Sequence, residues 1–308
     1  MRVGFVGLGT MGARMAFNVR TAGYELVVND IRRDAAAPHL QAGATWADSA
    51  RMTAEASDVV FTSLPGPREV EEVALGENGL LAGMRRGTAW FDLSTNSPTV
   101  VRRLHERFAA QGVAMLDSPV SGGPAGAKSR KLALWVSGNK AAFDHHKSVL
   151  DAIGDQAMYV GPIGAGTVAK LVHNTAGYAI LAALGEVFTL GVKAGVEPLA
   201  LWQAVRQGAF GRRRTFDRLA EQFLPGIFDP PAFTLKLAHK DVTLATELGR
   251  ELNVPLRIAT LVQAELTEAL TRGWGERDSR IFMLLQEERA GVEIAVPADE
   301  IDQALAQR

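Results

Sequence analysis

The 308-residue chain has no cysteine. That absence removes disulfides, thiolate nucleophiles and cysteine-bound metals, although it does not by itself decide a redox compartment. An excess of one charge is also lacking: 33 Lys and Arg face 34 Asp and Glu, for a net charge of -1. No nucleic-acid partner and no acidic membrane surface is therefore expected. Histidines are few and scattered apart from the His145-His146 pair, and no HExxH spacing occurs, so no metal is expected. Long hydrophobic runs are missing as well. The uncharged stretch Thr175 to Gly185 falls well short of the ~20 residues that a membrane span needs. The apolar run at the start is opened by Arg2 and closed by Gly7-Leu8-Gly9, which reads as a buried strand and not as a signal peptide. Together these features predict a cytoplasmic protein with no membrane partner.

What is present is a globular composition, 47% hydrophobic and 22% charged, long enough for two domains. The first half alternates short apolar runs with helical patterns. Strands are predicted at Arg2–Val6, Glu25–Asn29, Asp58–Leu64, Thr88–Leu93, Val113–Leu116, Leu132–Ser137 and Ala157–Val160. Several are continuous apolar runs, as in strands covered on both faces. Helices are predicted between them, among others at Met11–Ala22, Glu69–Leu75 and Pro98–Gln111. After Gly161-Pro162 the pattern turns helical: one long apolar helix over 166–194, then Glu197–Gln207, Thr215–Phe223, Leu235–Leu252, Pro255–Arg272 and Asp278–Glu288. The next strand candidate is Val292–Val296, and the polar tail from Gly291 has no assignment. The fold class is α/β. A doubly wound, mainly parallel Rossmann sheet over 1–163 precedes an all-α domain over 164–308, with a long interdomain helix.

The first strand runs straight into Gly7-Leu8-Gly9-Thr10-Met11-Gly12, a GxGxxG turn between strand and helix. Gly7 permits the tight turn, Gly9 lets the backbone approach a pyrophosphate, and Gly12 allows the helix to pack on the strand. The second strand ends at Asn29-Asp30, 18 residues beyond Gly12. A carboxylate at about that distance accepts the ribose hydroxyls and repels a 2′-phosphate. Asp30 thus favours NAD, while Arg32 and Arg33 keep NADP possible. Leu64-Pro65 and Asp92-Leu93-Ser94-Thr95 end further strands, where ligands bind in open α/β sheets. Thr95 either bonds the ribose or nicotinamide, or is a simple cap before Pro98.

Asp117-Ser118-Pro119-Val120-Ser121-Gly122-Gly123 follows another strand. A hydroxyl next to two glycines presents donors for a carboxylate, or is an ordinary Gly-Pro loop. On the long helix, Gly166, Lys170 and Asn174 share one face. Gly166 is expected to leave room for a ligand. Lys170 offers a proton that desolvation in a closed cleft would loosen. Asn174 can orient Lys170 or grip a hydroxyl. The plain alternative is a lysine that snorkels to solvent. Arg212-Arg213-Arg214 begins a later helix as a solvated basic start or as a reader of a second anionic group.

These segments together resemble the β-hydroxyacid dehydrogenase family, the group of 3-hydroxyisobutyrate dehydrogenase and tartronate semialdehyde reductase. GFVGLGTMG at 4–12, DSPVSGG at 117–123, GPIGAGTVAKLVHN at 161–174 and Phe233 followed by HKDV at 239–242 are similar to that family's motifs, in the same order, up to about residue 290. The resemblance implies Lys170 as the acid/base, with Ser121, Gly122, Gly123 and Asn174 on the substrate carboxylate. It implies Leu64, Pro65, Thr95 and Lys240 on the cofactor. A small hydroxy acid and NAD as reactants, and a homodimer or homotetramer built partly through the long helix, are implied too. His173-Asn174 is also similar to decarboxylating 6-phosphogluconate dehydrogenase, but the glutamate expected three residues after the asparagine is Gly177 here. Imine reductases share the fold and usually lack the lysine. A catalytically silent, dinucleotide-responsive module would lack Lys170 or the Ser-Gly-Gly loop.

Overall fold

The computed structural model describes residues 1–193, 195–208, 211, 216–251 and 255–306. Two compact units separate, Met1–Val172 and His173–Arg308. The first is built on one nine-stranded sheet: β1 (Arg2–Val6), β2 (Glu25–Asn29), β3 (Thr45–Trp46), β4 (Val59–Thr62), β5 (Ala89–Asp92), β6 (Ala114–Asp117), β7 (Val120–Ser121), β8 (Ala133–Ser137) and β9 (Gln156–Gly161). The order is β3-β2-β1-β4-β5-β6-β8-β7, with β9 also paired to β8. The strands β1 to β6 pair parallel with one another, and β8 runs antiparallel to β6 and β7. The chain therefore reverses its direction of winding between β1 and β4, the crevice where doubly wound sheets bind dinucleotides.

The expected both-sides burial is observed. Phe5, Phe61, Phe91 and Leu116 sit in register across four strands and build one core layer, while Val6, Val60, Trp90 and Met115 build the other. Phe61 stacks on Phe91 at 5.1 Å and on Phe5 at 6.3 Å, so an aromatic ladder crosses the sheet beneath the crevice. Rings at these separations add to area burial, which holds the strand ends in fixed register.

The long helix is Ala165–Lys193. It is followed in the second unit by helices Pro198–Gln207, Leu235–Glu251, Arg257–Thr271, Leu284–Ala290 and Ala298–Ala306. Their core gathers Trp202, Phe223, Phe228, Leu266 and Phe282 with Leu184 and Phe188 of the long helix. Three expectations change. Val292–Val296 forms no strand; it has no regular secondary structure, with Ile294 and Val296 inserted into the helical core and the Val296 N–H donating to the Leu224 carbonyl at 2.8 Å. Its apolar spacing reflects burial against helices and not pairing. The helix expected over Asp278–Glu288 opens as a 3₁₀ turn, Ser279–Met283, because the Asp278 carboxylate accepts both the N–H and the guanidinium of Arg280 and tightens the start. The described part of Thr215–Phe223 is also 3₁₀, Phe216–Glu221. Arg212, Arg213 and Arg214 lie outside the described residues. No described helix is long and apolar enough to cross a membrane.

Candidate active site

The glycine-rich loop divides its three glycines between protein and ligand. A Cβ on Gly7 would lie 2.3 Å from the Ser63 carbonyl oxygen, and one on Gly12 would lie 2.0 Å from the Gly7 carbonyl oxygen. Both glycines are therefore demanded by the fold itself. A Cβ on Gly9 would meet nothing within 4 Å, and Gly9 and Thr10 are exposed. The helix that follows, Gly12–Thr21, has no acidic residue in its first turn and no side-chain cap at Met11. Space left open before an uncapped helix start fits a pyrophosphate. Leu8 is buried, and its N–H donates to Asp30 Oδ2 at 2.6 Å. The other oxygen of Asp30 accepts the Arg32 N–H at 2.8 Å. The carboxylate is thus fixed beside the loop, with lone pairs left for ribose hydroxyls. Asn29 holds the same corner: its carbonyl accepts the Gly7 N–H, and its amide donates to the Ala47 carbonyl. Arg33 is occupied nearby. Its guanidinium lies 5.5 Å from the Trp46 ring centroid and 3.6 Å from Asp48.

Next along the sheet edge, Asp92 is fully buried. It accepts bonds from the Thr62 hydroxyl (2.9 Å), the Ser94 N–H (3.1 Å) and the Asn96 amide (3.0 Å). Burial pushes its carboxyl above the ordinary range, against the opposing pull of these donors. Ser94 Oγ accepts the Leu64 N–H at 2.9 Å, so the Leu64-Pro65 turn is tied to the end of β5. Thr95 is half-buried between Ser94 and Asn96 and is not the helix cap; that position belongs to Ser97. Ser94 and Asn96 are positioning groups whose only sequence signal is their place just after a strand.

A third carboxylate, Asp117, joins the last two predicted segments. Its Oδ1 accepts the Gly164 N–H at 2.8 Å and the Ser137 hydroxyl; its Oδ2 accepts the Thr167 N–H at 2.6 Å and the Thr167 hydroxyl at 2.8 Å. It thereby satisfies backbone donors at the start of the long helix. Asp117 also begins the loop that reaches Ser121, where Gly122 and Gly123 take φ of 136° and 62°, turns that few other residues adopt. Both glycines are exposed and Ser121 is half-buried. One buried carboxylate thus sets the Ser-Gly-Gly loop relative to the helix that carries Lys170. Gly166 does not leave room for a ligand. A Cβ there would lie 2.2 Å from the Trp135 carbonyl oxygen, so this glycine exists to let the helix press against β8. Lys170, one turn on, is half-buried.

Asn174 lies on the part of the helix belonging to the second unit. Its amide donates to Asp241 Oδ2, and the Lys240 ammonium lies 3.0 Å from Asp241 Oδ1 as an ion pair. The buried Asp241 therefore positions two predicted site residues at once; the sequence displays it only as the partner of Lys240 in HKDV. One turn further, the Tyr178 hydroxyl donates to Ser279 Oγ at 3.3 Å. Burial pushes this phenol far above its usual range, so it stays protonated. Among the described residues no group of three or more His, Asp or Glu is arranged to hold a metal.

The chain is similar to known NAD-binding dehydrogenases. A family model described as the NAD binding domain of 6-phosphogluconate dehydrogenase matches residues 2–161. A second, described as NAD-binding of NADP-dependent 3-hydroxyisobutyrate dehydrogenase, matches residues 164–285. The chain is 32% identical to 2-(hydroxymethyl)glutarate dehydrogenase of Eubacterium barkeri over 96% of its own length and 98% of the relative's. It is 34% identical to NAD-dependent L-serine dehydrogenase of Pseudomonas aeruginosa, covering 92% and 97% of the two chains. The crystal structure of 3-hydroxyisobutyrate dehydrogenase from Salmonella typhimurium superposes with a TM-score of 0.81 at 29% identity, over 92% of this chain and 99% of that one.

Proposed function

Because the chain belongs to the β-hydroxyacid dehydrogenase family, we propose that it oxidises a carboxylate with a hydroxymethyl group on the α-carbon to the semialdehyde, using NAD. The enzyme is an NAD(P)-dependent hydroxyacid dehydrogenase acting on a CH–OH group. The substrates named for its relatives, 2-(hydroxymethyl)glutarate, L-serine and 3-hydroxyisobutyrate, share a CH2OH on the carbon that bears the carboxylate. Bound nicotinamide supplies the acceptor for the hydride. The chain's own residues do the rest. The Ser121 hydroxyl and the Gly122 and Gly123 backbone hold the carboxylate. Asn174, oriented by Asp241, holds the reacting oxygen. Lys170 takes the hydroxyl proton on oxidation and returns it on reduction.

The observation that carries this reading is Asp117, which anchors the helix of Lys170 and begins the loop of Ser121. Fixing acid/base and carboxylate grip on one anchor supplies the proximity that such transfers need. On the cofactor side, Gly7 to Gly12 receive the pyrophosphate, Asn29 and Asp30 the adenosine ribose, and Leu64, Pro65, Thr95 and Lys240 line the rest. Asp30 together with the engaged Arg33 favours NAD over NADP. In this reading residues 1–163 form the dinucleotide-binding domain and 164–308 the substrate and dimerisation domain. Exposed Ile180, Ile258 and Leu261 support a homodimer or homotetramer, and use of a nicotinamide cofactor is compatible with a cytoplasmic enzyme. Decarboxylation is disfavoured at Gly177: a Cβ there meets nothing, so a glutamate has space, yet the chain does not supply one.

Replacing Lys170 with alanine tests the chemistry. Turnover on the best hydroxy acid of a panel should drop by about 10²–10⁴-fold, while NADH binding by fluorescence stays unchanged. Turnover near that of the wild type would end the acid/base role.

A further inference from the structure

Arg14 is the third residue of the helix Gly12–Thr21, whose first turn holds no acidic residue. A helix start carries partial positive charge, so a cation placed there is at an electrostatic disadvantage until an anion joins it. Side chains in a first turn lean back towards the helix start. Arg14 follows this: its guanidinium donates a hydrogen bond to the carbonyl oxygen of Thr10, inside the glycine-rich loop. That partner is neutral. Arg20, on the same helix, contrasts with it: its guanidinium is committed to the Ala42 carbonyl at 2.9 Å and the Tyr24 carbonyl at 3.4 Å, far from the loop, and ties the helix to the β2 corner.

The geometry points to Arg14 as a clamp on the cofactor's pyrophosphate. When the dinucleotide binds, the guanidinium exchanges the Thr10 carbonyl for phosphate oxygens, which offer charge-assisted and bidentate bonds in place of a neutral one. The open ground in front of Gly9, where a Cβ would meet nothing, is the space those oxygens would fill. The clamp acts on binding and not on the chemical step. It rests on the glycine-rich loop being the NAD site.

Isothermal titration of the full-length protein with NAD, ADP-ribose and adenosine tests it, on wild type, Arg14→Gln and Arg14→Lys. The glutamine variant should lose on the order of tenfold in affinity for NAD and ADP-ribose. Adenosine, which lacks phosphates, should bind as before. The dependence of log Kd on log salt should flatten, the lysine variant should recover part of the loss, and the melting temperature without ligand should hold or rise, because a cation has left a helix start. Unchanged ADP-ribose affinity in Arg14→Gln, an equal loss for adenosine, or a marked fall in the ligand-free melting temperature would each overturn the clamp. Failure of the wild type to bind ADP-ribose would overturn the cofactor site itself and the clamp with it.

Discussion

Two buried aspartates show how differently the two units hold their polar groups. Asp117, in the first unit, is surrounded by backbone N–H groups and hydroxyls supplied by Gly164, Thr167 and Ser137. Its partners are parts of the fold. Asp241, in the second unit, is bound by the side chains of Asn174 and Lys240, both predicted site residues. The first carboxylate builds architecture and the second orients two candidate site residues. The same division runs through the glycine-rich loop, where Gly12 answers to the protein and Gly9 to open space.

Substitutions should therefore separate the two kinds. Asp117→Asn turns an acceptor into a donor facing donors and should destabilise the protein by about 3 kcal/mol. Asp241→Asn keeps its shape and should melt closer to wild type, yet lose about tenfold in kcat/KM through a loosened Asn174. Thermal melts beside steady-state kinetics read both, and an Asp241→Asn protein as unstable as Asp117→Asn breaks the contrast. Gly12→Ala should lower stability in the absence of ligand, whereas Gly9→Ala should leave the melt alone and weaken NAD binding. The reverse pattern would mean that the roles of these glycines are exchanged.

The smallest effect concerns pH, and here the units have opposite signs. In the first unit His146 is buried, with its pKa lowered to about 4 by burial and by the neighbouring His145. Its unfolded value lies higher, near 6.5, so this unit is steady above that and loses stability as pH falls towards 4. In the second unit Glu287 is buried and raised to about 7, by burial first and by Glu293 as well. Its unfolded value is 4.5, so stability here is full below that and is lost as pH rises through 7. Screened by solvent, each limb amounts to on the order of 1 kcal/mol. Hydrogen exchange resolved by segment should show protection in β5 falling on acidification and protection around Ile294, whose N–H donates to Glu287, falling towards neutrality. Parallel trends in both segments would contradict the assignment.

The parts legible in the chain are those written in local patterns. The parallel strands announce themselves as continuous apolar runs, and the glycine-rich turn and Asp30 by their spacing. Two-residue strands such as Thr45–Trp46 and Val120–Ser121 are too short to show any period. Gly166 was expected to face a ligand because spacing gives a helix face but not what covers that face; the cover is β8. Asp117 reads as the first residue of a motif, since its partners lie 47 and 50 residues away. The apolar positions of Val292–Val296 are real, but the same run serves a strand or a segment buried under helices, and only the core decides.

The return of the chain into the helical core after Gly291 bears on how the enzyme is handled. Ile294, Val296 and Ile301 are three plugs of the helical core supplied by a stretch whose composition looks dispensable. A shortened version ending near residue 290 would open that core to solvent and invite aggregation.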